Sequence, residues 1–460
     1  MVKSNKSREE MLATEAMLPL ILKMSLPTVA AQLVNLLYSI VDRIYIGHID
    51  SVGKDALAGI GITSSIIILI AAFSNIVSGG GAPLASIALG ENNRKKAERI
   101  VGNGFVMLLS FSVITMTAAY IVKAPVLRLI GASDNTFPFA DSYLNIYLIG
   151  TVFTQISVGM VNFLTAQGRS GVSMLCVLTG AFLNIALDPL FIFTFGMGVK
   201  GAALSTVISQ CVSAVMIILF LLSAKSTLRL KKSGMKPDFS IMLNITKLGV
   251  ASFVMVATES FIGFVLNGNL QKYGGDIYVS ALTVLQSAMQ MITVPITGFC
   301  TGITPIISYN FGAGNTKRVR QCFIRVVAIT FTVMLMGALT MIFFPRYIGS
   351  VFTDDILLLN TVEKYMPMFF VGITVFGLQR ACQTTFVALG QSAIPLFIAV
   401  LRKVILLIPL ATVLPRLFGL GVAGVYLAEP IADAISAITC TTVFLLQFEK
   451  ILKRKEAKVI

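Results

Sequence analysis

Two aspartates and two asparagines stand where an oily chain has no ordinary use for them. Asp188 interrupts LNIALDPLFIF (Leu183–Phe193), and Asn184 precedes it by four residues, a spacing that puts both side chains on one face of a helix. Asp42 lies in LVNLLYSIVDRIYIG (Leu33–Gly47) and Asn162 in MVNFLTAQG (Met160–Gly168). A lone ionised carboxylate in hydrocarbon is costly. Two carboxylates with two amides offer two kinds of chemistry: a pair sharing one proton, or an oxygen-lined site for a small hard cation. The competing structural reading is an ion pair with a nearby base such as Arg43. Arg43 is adjacent to Asp42 and so points about 100° away around the helix, which argues against it.

A second set of charges follows later in the chain. Glu259 lies in VMVATESFIGF, Arg402 and Lys403 in AVLRKVILLIPL, and Glu429 and Asp433, again four apart, in LAEPIADAISA. Opposite charges in one region point to a mutually neutralising network, with a coupling role for Glu259 as the alternative. Pro27, in KMSLPTVAAQ, leaves a backbone carbonyl without its helical partner, as static shape or as a hinge. The single histidine, His48, reads as an interfacial polar residue. The six cysteines form no CxxC pair and no other metal-ligand spacing.

The elements that carry these residues are membrane spans. The chain has 460 residues, is 56% hydrophobic and only 12% charged, and has a mean hydropathy of +0.87. Soluble domains carry about a quarter charged residues. Apolar runs long enough to cross a bilayer recur throughout, without the alternation of a membrane β-barrel. The predicted fold is therefore an all-α polytopic membrane protein with twelve transmembrane helices. They fall near 17–47, 56–89, 101–122, 137–166, 172–194, 201–223, 243–270, 278–309, 323–345, 360–389, 393–414 and 421–447.

The net charge of +15 is a topology signal, not a nucleic-acid patch. Lys and Arg collect at the chain ends and after even-numbered spans, as in RLKKSGMK (Arg229–Lys236). After odd-numbered spans only Lys54, Lys123, Arg128, Lys200, Lys272, Arg346 and Arg416 occur. That bias predicts both termini in the cytoplasm. No cleavable signal is visible at the start.

The chain is also written twice. PLASIALGENNRKK (Pro83–Lys96) echoes PIISYNFGAGNTKR (Pro305–Arg318) at an offset of 222 residues, and AQGRS (Ala166–Ser170) echoes ALGQS (Ala388–Ser392) at the same offset. FGMGVKGAAL (Phe195–Leu204) echoes FGLGVAGVYL (Phe418–Leu427) at 223. Six spans per half is an even number, so the halves cross in the same direction and form a parallel repeat. The expected organisation is a six-helix lobe over 1–223, a basic linker over 224–240 and a second six-helix lobe over 241–460.

YSIVDRIYIGHI in span 1, LNIALDPLFIF in span 5 and PIISYNFGAGN after span 8, within a six-plus-six layout covering essentially the whole chain, resemble the multidrug and toxic compound extrusion (MATE) transporters, in the bacterial branch that includes multidrug export proteins. The resemblance implies a V-shaped pair of lobes that exports organic cations, drugs and other xenobiotics against an inward flow of H+ or Na+. It implies a cation site in the first lobe at Asp42, Asn162, Asn184 and Asp188. Another branch uses a span 7 glutamate, and Glu259 matches that position. It further implies a cell-membrane protein working as a monomer on amphiphilic or cationic small molecules, with no cofactor besides the coupling ion. A flippase for a lipid-linked saccharide is the alternative, and Arg402 and Lys403 are the cations it would need. No nucleophile–base constellation or P-loop is visible, so neither an enzyme nor an ATP-driven pump is expected.

Overall fold

The computed structural model describes residues 8–49, 52–417 and 419–459. Among them, ten helices are long and apolar enough to cross a bilayer, and two bent pairs complete a set of twelve. In chain order they are α1 (Met17–Gly47), α2 (Gly53–Gly90), α3 (Arg94–Ile130), α4 (Phe137–Ile149 with Thr151–Ala166), α5 (Ser170–Pro189) and α6 (Val199–Leu222). The second half holds α7 (Phe239–Tyr273), α8 (Asp276–Gly312), α9 (Thr316–Phe343), α10 (Ile356–Phe370 with Ile373–Ala388), α11 (Ala393–Val400, widening to π geometry over Leu401–Leu407, then Ile408–Val413) and α12 (Val422–Val459). Large apolar side chains cover the outside: Leu37 is 58% exposed, Ile121 75%, Phe264 74% and Leu445 72%. Such a surface is a liability in water and no cost against lipid tails. The chain is a multi-pass membrane protein.

The sequence echoes turn out to be the joints of the repeat. The bends in α4 and α10, of 61° and 46°, occur at the same place in each half. Ser86 donates to the Ala166 carbonyl at 2.8 Å, and Ser308 donates to the Ala388 carbonyl at 2.8 Å; donors and acceptors alike differ by the 222-residue offset. Asn93 caps α3 by accepting from the Lys96 N–H, and Asn315 caps α9 by accepting from the Arg318 N–H. Gly168 and Gly390 end their helices at φ of +77° and +71°, a region only glycine enters freely. The Phe418 that opens the third echo lies outside the described residues.

The first and last described helical turns gather on one side. Asn310 donates to the Leu12 carbonyl at 3.0 Å, and Lys455 pairs with Glu91 at 3.0 Å. The basic linker folds onto the first lobe there. Asn103 of α3 donates to the Gly234 and Lys236 carbonyls, Lys231 pairs with Glu98 at 2.8 Å and Arg99 with Asp238 at 2.6 Å.

The lobes meet through α2 against α7, α1 against α8, and α2 against α8. Small residues let the backbones touch, as expected in a membrane, where no hydrophobic drive pulls helices together. A Cβ on Gly90 would sit 2.0 Å from the Tyr309 carbonyl oxygen, and one on Gly312 would sit 2.1 Å from that of Ile87. These two contacts are images of each other under the repeat offset, so the pseudo-two-fold axis passes between them. Gly298 and Gly302 of α8 press on Val29 and Ser25 of α1, and Thr28 donates to the Gly298 carbonyl at 2.7 Å. Gly80 and Gly249 close the α2/α7 seam.

A methyl group at this crossing must push two backbones apart. Gly90→Ala is expected to destabilise the protein by about 1–3 kcal/mol, the usual range for overpacking. Gly61→Ala on the same helix, with no atom within 4 Å of the added carbon, should be neutral or slightly stabilising. Thermal melting in detergent compares them; equal melting temperatures would refute the backbone-contact reading.

Candidate functional site

The first-lobe acids converge. Asp188, near the end of α5, is fully buried, and Asn184 is 2% exposed one turn earlier. Ser205 of α6 donates its hydroxyl to Asp188 Oδ1, and Asn184 Nδ2 lies 3.3 Å from the same oxygen. Asn184 Nδ2 also approaches Ser205 Oγ at 3.3 Å and Thr206 Oγ1 at 3.5 Å. The Asp42 carboxyl of α1 comes within hydrogen-bonding reach of Asp188. Three buried acceptors are left without a donor: Asp42 Oδ1, Asp188 Oδ2 and Asn184 Oδ1. Buried polar oxygens are normally satisfied. Three orphans around a pair of carboxyls suit a shared proton or a hard cation bound through oxygen. Arg43 forms no ion pair among the described residues.

Asn162 stands apart from this trio, with no hydrogen bond to Asp42 or Asp188. It lines two cavities. One, of ≈ 200 Å³, runs inside the first lobe past Asn35, Tyr38, Asn75, Asn184 and Gln210. The other, of ≈ 270 Å³, lies between the lobes above the Gly90/Gly312 crossing. Its walls are repeat-related: Asn75 faces Thr297 across the axis, Pro83 faces Pro305 and Asn162 faces Thr384. Asn162 thus joins this central cavity to the polar route leading toward Asn184.

The second-lobe charges form pairs. Arg402 Nε meets Asp433 Oδ1 at 2.5 Å, with Glu429 further off at 3.7 Å. Lys403 meets Glu259 at 2.8 Å. Arg402 and Lys403 both sit on the π-shaped turn of α11, whose extra residue per turn brings two successive side chains inward. Arg402 also covers the Phe376 ring at 4.4 Å.

Some residues of these sites carry no signal in the sequence. Ser205 and Thr206 are ordinary hydroxyls in an apolar run. Tyr38, one turn before Asp42, lines the first-lobe cavity, and Tyr143 stacks on Tyr147 at 6.1 Å; four-residue spacing from Asp42 is the one hint for Tyr38. Arg380 is the other omission. It lines both the central cavity and the second-lobe pocket. Its charge sits mid-span and was the available signal. The pairing geometry ranks the acids of the second lobe. Asp433→Asn is expected to cost about 3–5 kcal/mol by leaving Arg402 uncompensated, and Glu429→Gln less. Adding Arg402→Gln to Asp433→Asn should restore part of the melting temperature. A larger loss in Glu429→Gln would reverse the ranking.

Comparison with known proteins agrees with this architecture. The MatE family model matches twice, over residues 27–190 and 251–413, one copy in each half. The multidrug export protein MepA of Staphylococcus aureus (strain bovine RF122 / ET3-1) is 24% identical over 424 residues, covering 92% of both chains. Its namesake in Staphylococcus saprophyticus is 25% identical over 423 residues, again 92% of each. A solved structure described as the outward-facing conformation of a multidrug resistance MATE family transporter superposes with a TM-score of 0.90 at 20% identity, over 98% of this chain and 99% of that one. At that identity the superposition speaks for the fold, and the two family-model matches speak for descent: the chain belongs to the MatE family.

Proposed function

We propose that this protein is a cation-coupled antiporter that exports amphiphilic drugs, organic cations and other xenobiotics across the cell membrane, with both termini in the cytoplasm and a single chain as the working unit. The observation that carries the reading is the meeting of Asp42 and Asp188 inside the first lobe, with an orphaned oxygen on each. A carboxyl pair held away from water gains or loses a proton, or a Na+, at a large energetic difference. That makes it a point where an inward ion flow can do work. The curated relatives' name, multidrug export protein, supports the direction and the class of cargo.

Alternating access supplies the mechanism. The lobes in this structure touch on the side that carries the termini, and a cavity lies above the contact. Rocking that parts the α2/α8 crossing would open that side and close the opposite one. Pro27 sits in α1 where Ser25 and Thr28 grip α8. A bend there carries Asp42 toward or away from Asp188, so Pro27 is assigned as the hinge. The ion discharged at the acid pair and the substrate in the central cavity communicate through the route lined by Asn184, Asn75 and Asn162.

Two experiments test the reading. Asp188→Asn removes the charge at nearly constant volume. In proteoliposomes with pH and sodium gradients imposed separately, the variant should insert normally and export at the rate of empty liposomes; wild-type export would remove Asp188 from coupling. The second test sets the stoichiometry. One charge crossing 100 mV is worth about 2.3 kcal/mol. One-for-one exchange of a monovalent ion for a monocationic drug moves no net charge and should ignore voltage at fixed ion gradients. Accumulation that rises with voltage requires more than one coupling ion per cycle.

A further inference from the structure

The central cavity is built from repeat-related neutral pairs, and Arg380 breaks the pattern. Its equivalent across the axis is Val158. Among the described residues lining the cavity, Arg380 is the one ionised side chain; the rest are hydroxyls, amides, small residues, a thiol and the apolar Met255, Val256 and Val387. Both first-lobe acids lie outside it.

The guanidinium is also under-used. It has five N–H donors. One contact is made, from Nη2 to Thr297 Oγ1 at 3.1 Å. No carboxylate forms an ion pair with Arg380 among the described residues. Glu259 faces it electrostatically, but that carboxylate is held by Lys403 at 2.8 Å. The neighbouring guanidinium, Arg402, is claimed by Asp433. A charge placed inside a membrane without a partner is a functional site by default, and the planar fork of arginine matches a carboxylate through two parallel hydrogen bonds.

We propose that the central cavity receives amphiphiles bearing a carboxylate head group, docked on the free donors of Arg380, with the apolar body against Met255, Val256 and Val387. The proposal rests on the exporter reading and narrows its cargo to amphiphiles with a carboxylate, setting the organic cations aside. Cationic compounds gain nothing from this wall; a guanidinium repels them. Thr297, on which Arg380 rests, and Gln383 next to it keep the head group from meeting bare hydrocarbon.

Three radiolabelled probes of nearly equal shape test it: biphenyl-4-carboxylate, its methyl ester, and biphenyl-4-yl-trimethylammonium. Equilibrium binding is measured on the full chain in nanodiscs of zwitterionic lipid. Wild-type protein should bind the carboxylate at least tenfold more tightly than the ester or the ammonium. Arg380→Gln should lose that preference, about tenfold or more in carboxylate affinity as for a charge-assisted contact, with ester affinity unchanged. Arg380→Lys should keep part of it, since a point charge attracts without the fork. Equal binding of carboxylate and ester by the wild type overturns the proposal without needing any variant to fold. So do unaltered carboxylate affinity in Arg380→Gln, tighter binding of the ammonium, and no binding of any probe. Competition by added phosphatidylglycerol, which would assign the guanidinium to a lipid head group, overturns it as well. Gradient-driven transport of the same probes separates the two readings. Carboxylate preference without ion-driven transport would retain this site and sink the exporter. Ion-driven transport without carboxylate preference would do the reverse.

Discussion

The two lobes touch through backbone. At the α2/α8 crossing no side chain separates Gly90 from the Tyr309 carbonyl or Gly312 from that of Ile87, and this contact sets the positions of everything above it. Helices that cross so closely diverge on either side, because their own side chains force them apart away from the crossing. The divergence leaves a cavity on the axis, and its walls are inherited in pairs from the repeat. The contact is isologous in character: each glycine meets the image of the carbonyl that the other meets. Beside it, Leu20, Ile21 and Met24 of α1 pack into the second lobe against Phe299, Ile303 and Ile306, and Phe253 of α7 packs on Phe73. The seam holds one end shut while permitting the lobes to tilt, and the bridge from Glu91 to Lys455, with Lys96 at 3.1 Å, adds a solvent-facing tie that a small rotation can release.

The frame is duplicated and the charges are not. Positions equivalent to Asp42 and Asp188 in the second half are Phe264 and Leu410; those equivalent to Arg402 and Lys403 in the first are Gly180 and Ala181. Duplicated positions that fix turns, caps and helix ends answer to geometry common to both lobes. Buried charge is too expensive to keep without a use, so each lobe retains its own. In the first, acids lie together with oxygens unsatisfied. In the second, acids and bases cancel in pairs, at 2.5 Å for Arg402 with Asp433 and 2.8 Å for Lys403 with Glu259. The first leaves its acids without a cation; the second gives each of its two bases an acid and keeps Glu429 beside Arg402 as well.

This division explains what sequence reading reached. Span positions, the repeat and the helix joints were legible because they depend on local rules: hydropathy over about 20 residues, glycine at positive φ and asparagine at a cap. Asp42, Asn184 and Asp188 were legible because charge in an apolar run has few bland explanations. The four-residue spacing gave the Asn184–Asp188 contact directly. Ser205 and Thr206 were not, since a hydroxyl in a membrane helix usually bonds its own backbone, as both of these do to the Ala202 carbonyl. Which hydroxyl also meets a carboxyl or amide of a neighbouring helix is decided by that helix. The place of Asn162 likewise depends on the 61° bend in α4, which no residue of that span announces more strongly than Gly150.

In the proposed cycle α1 is the part that feels both sites. Its inner half is clamped to α8 by Gly298, Gly302 and the Thr28 hydrogen bond. Its outer half carries Asp42 and presents Leu33, Leu37, Ile40 and Ile44 to lipid, where apolar side chains slide without losing specific partners. A rod fixed at one end, free along one flank and weakened by Pro27 near the clamp moves most at the far end, where the acid sits. Loading the acid pair removes the repulsion between Asp42 and Asp188; unloading restores it across a distance too short for water to screen. The resulting force acts on the free end of α1 and is transmitted to the clamp, which is the seam between the lobes. In that cycle coupling has a mechanical arm beside the polar route past Asn184, Asn75 and Asn162: a helix that both the acid pair and the seam hold.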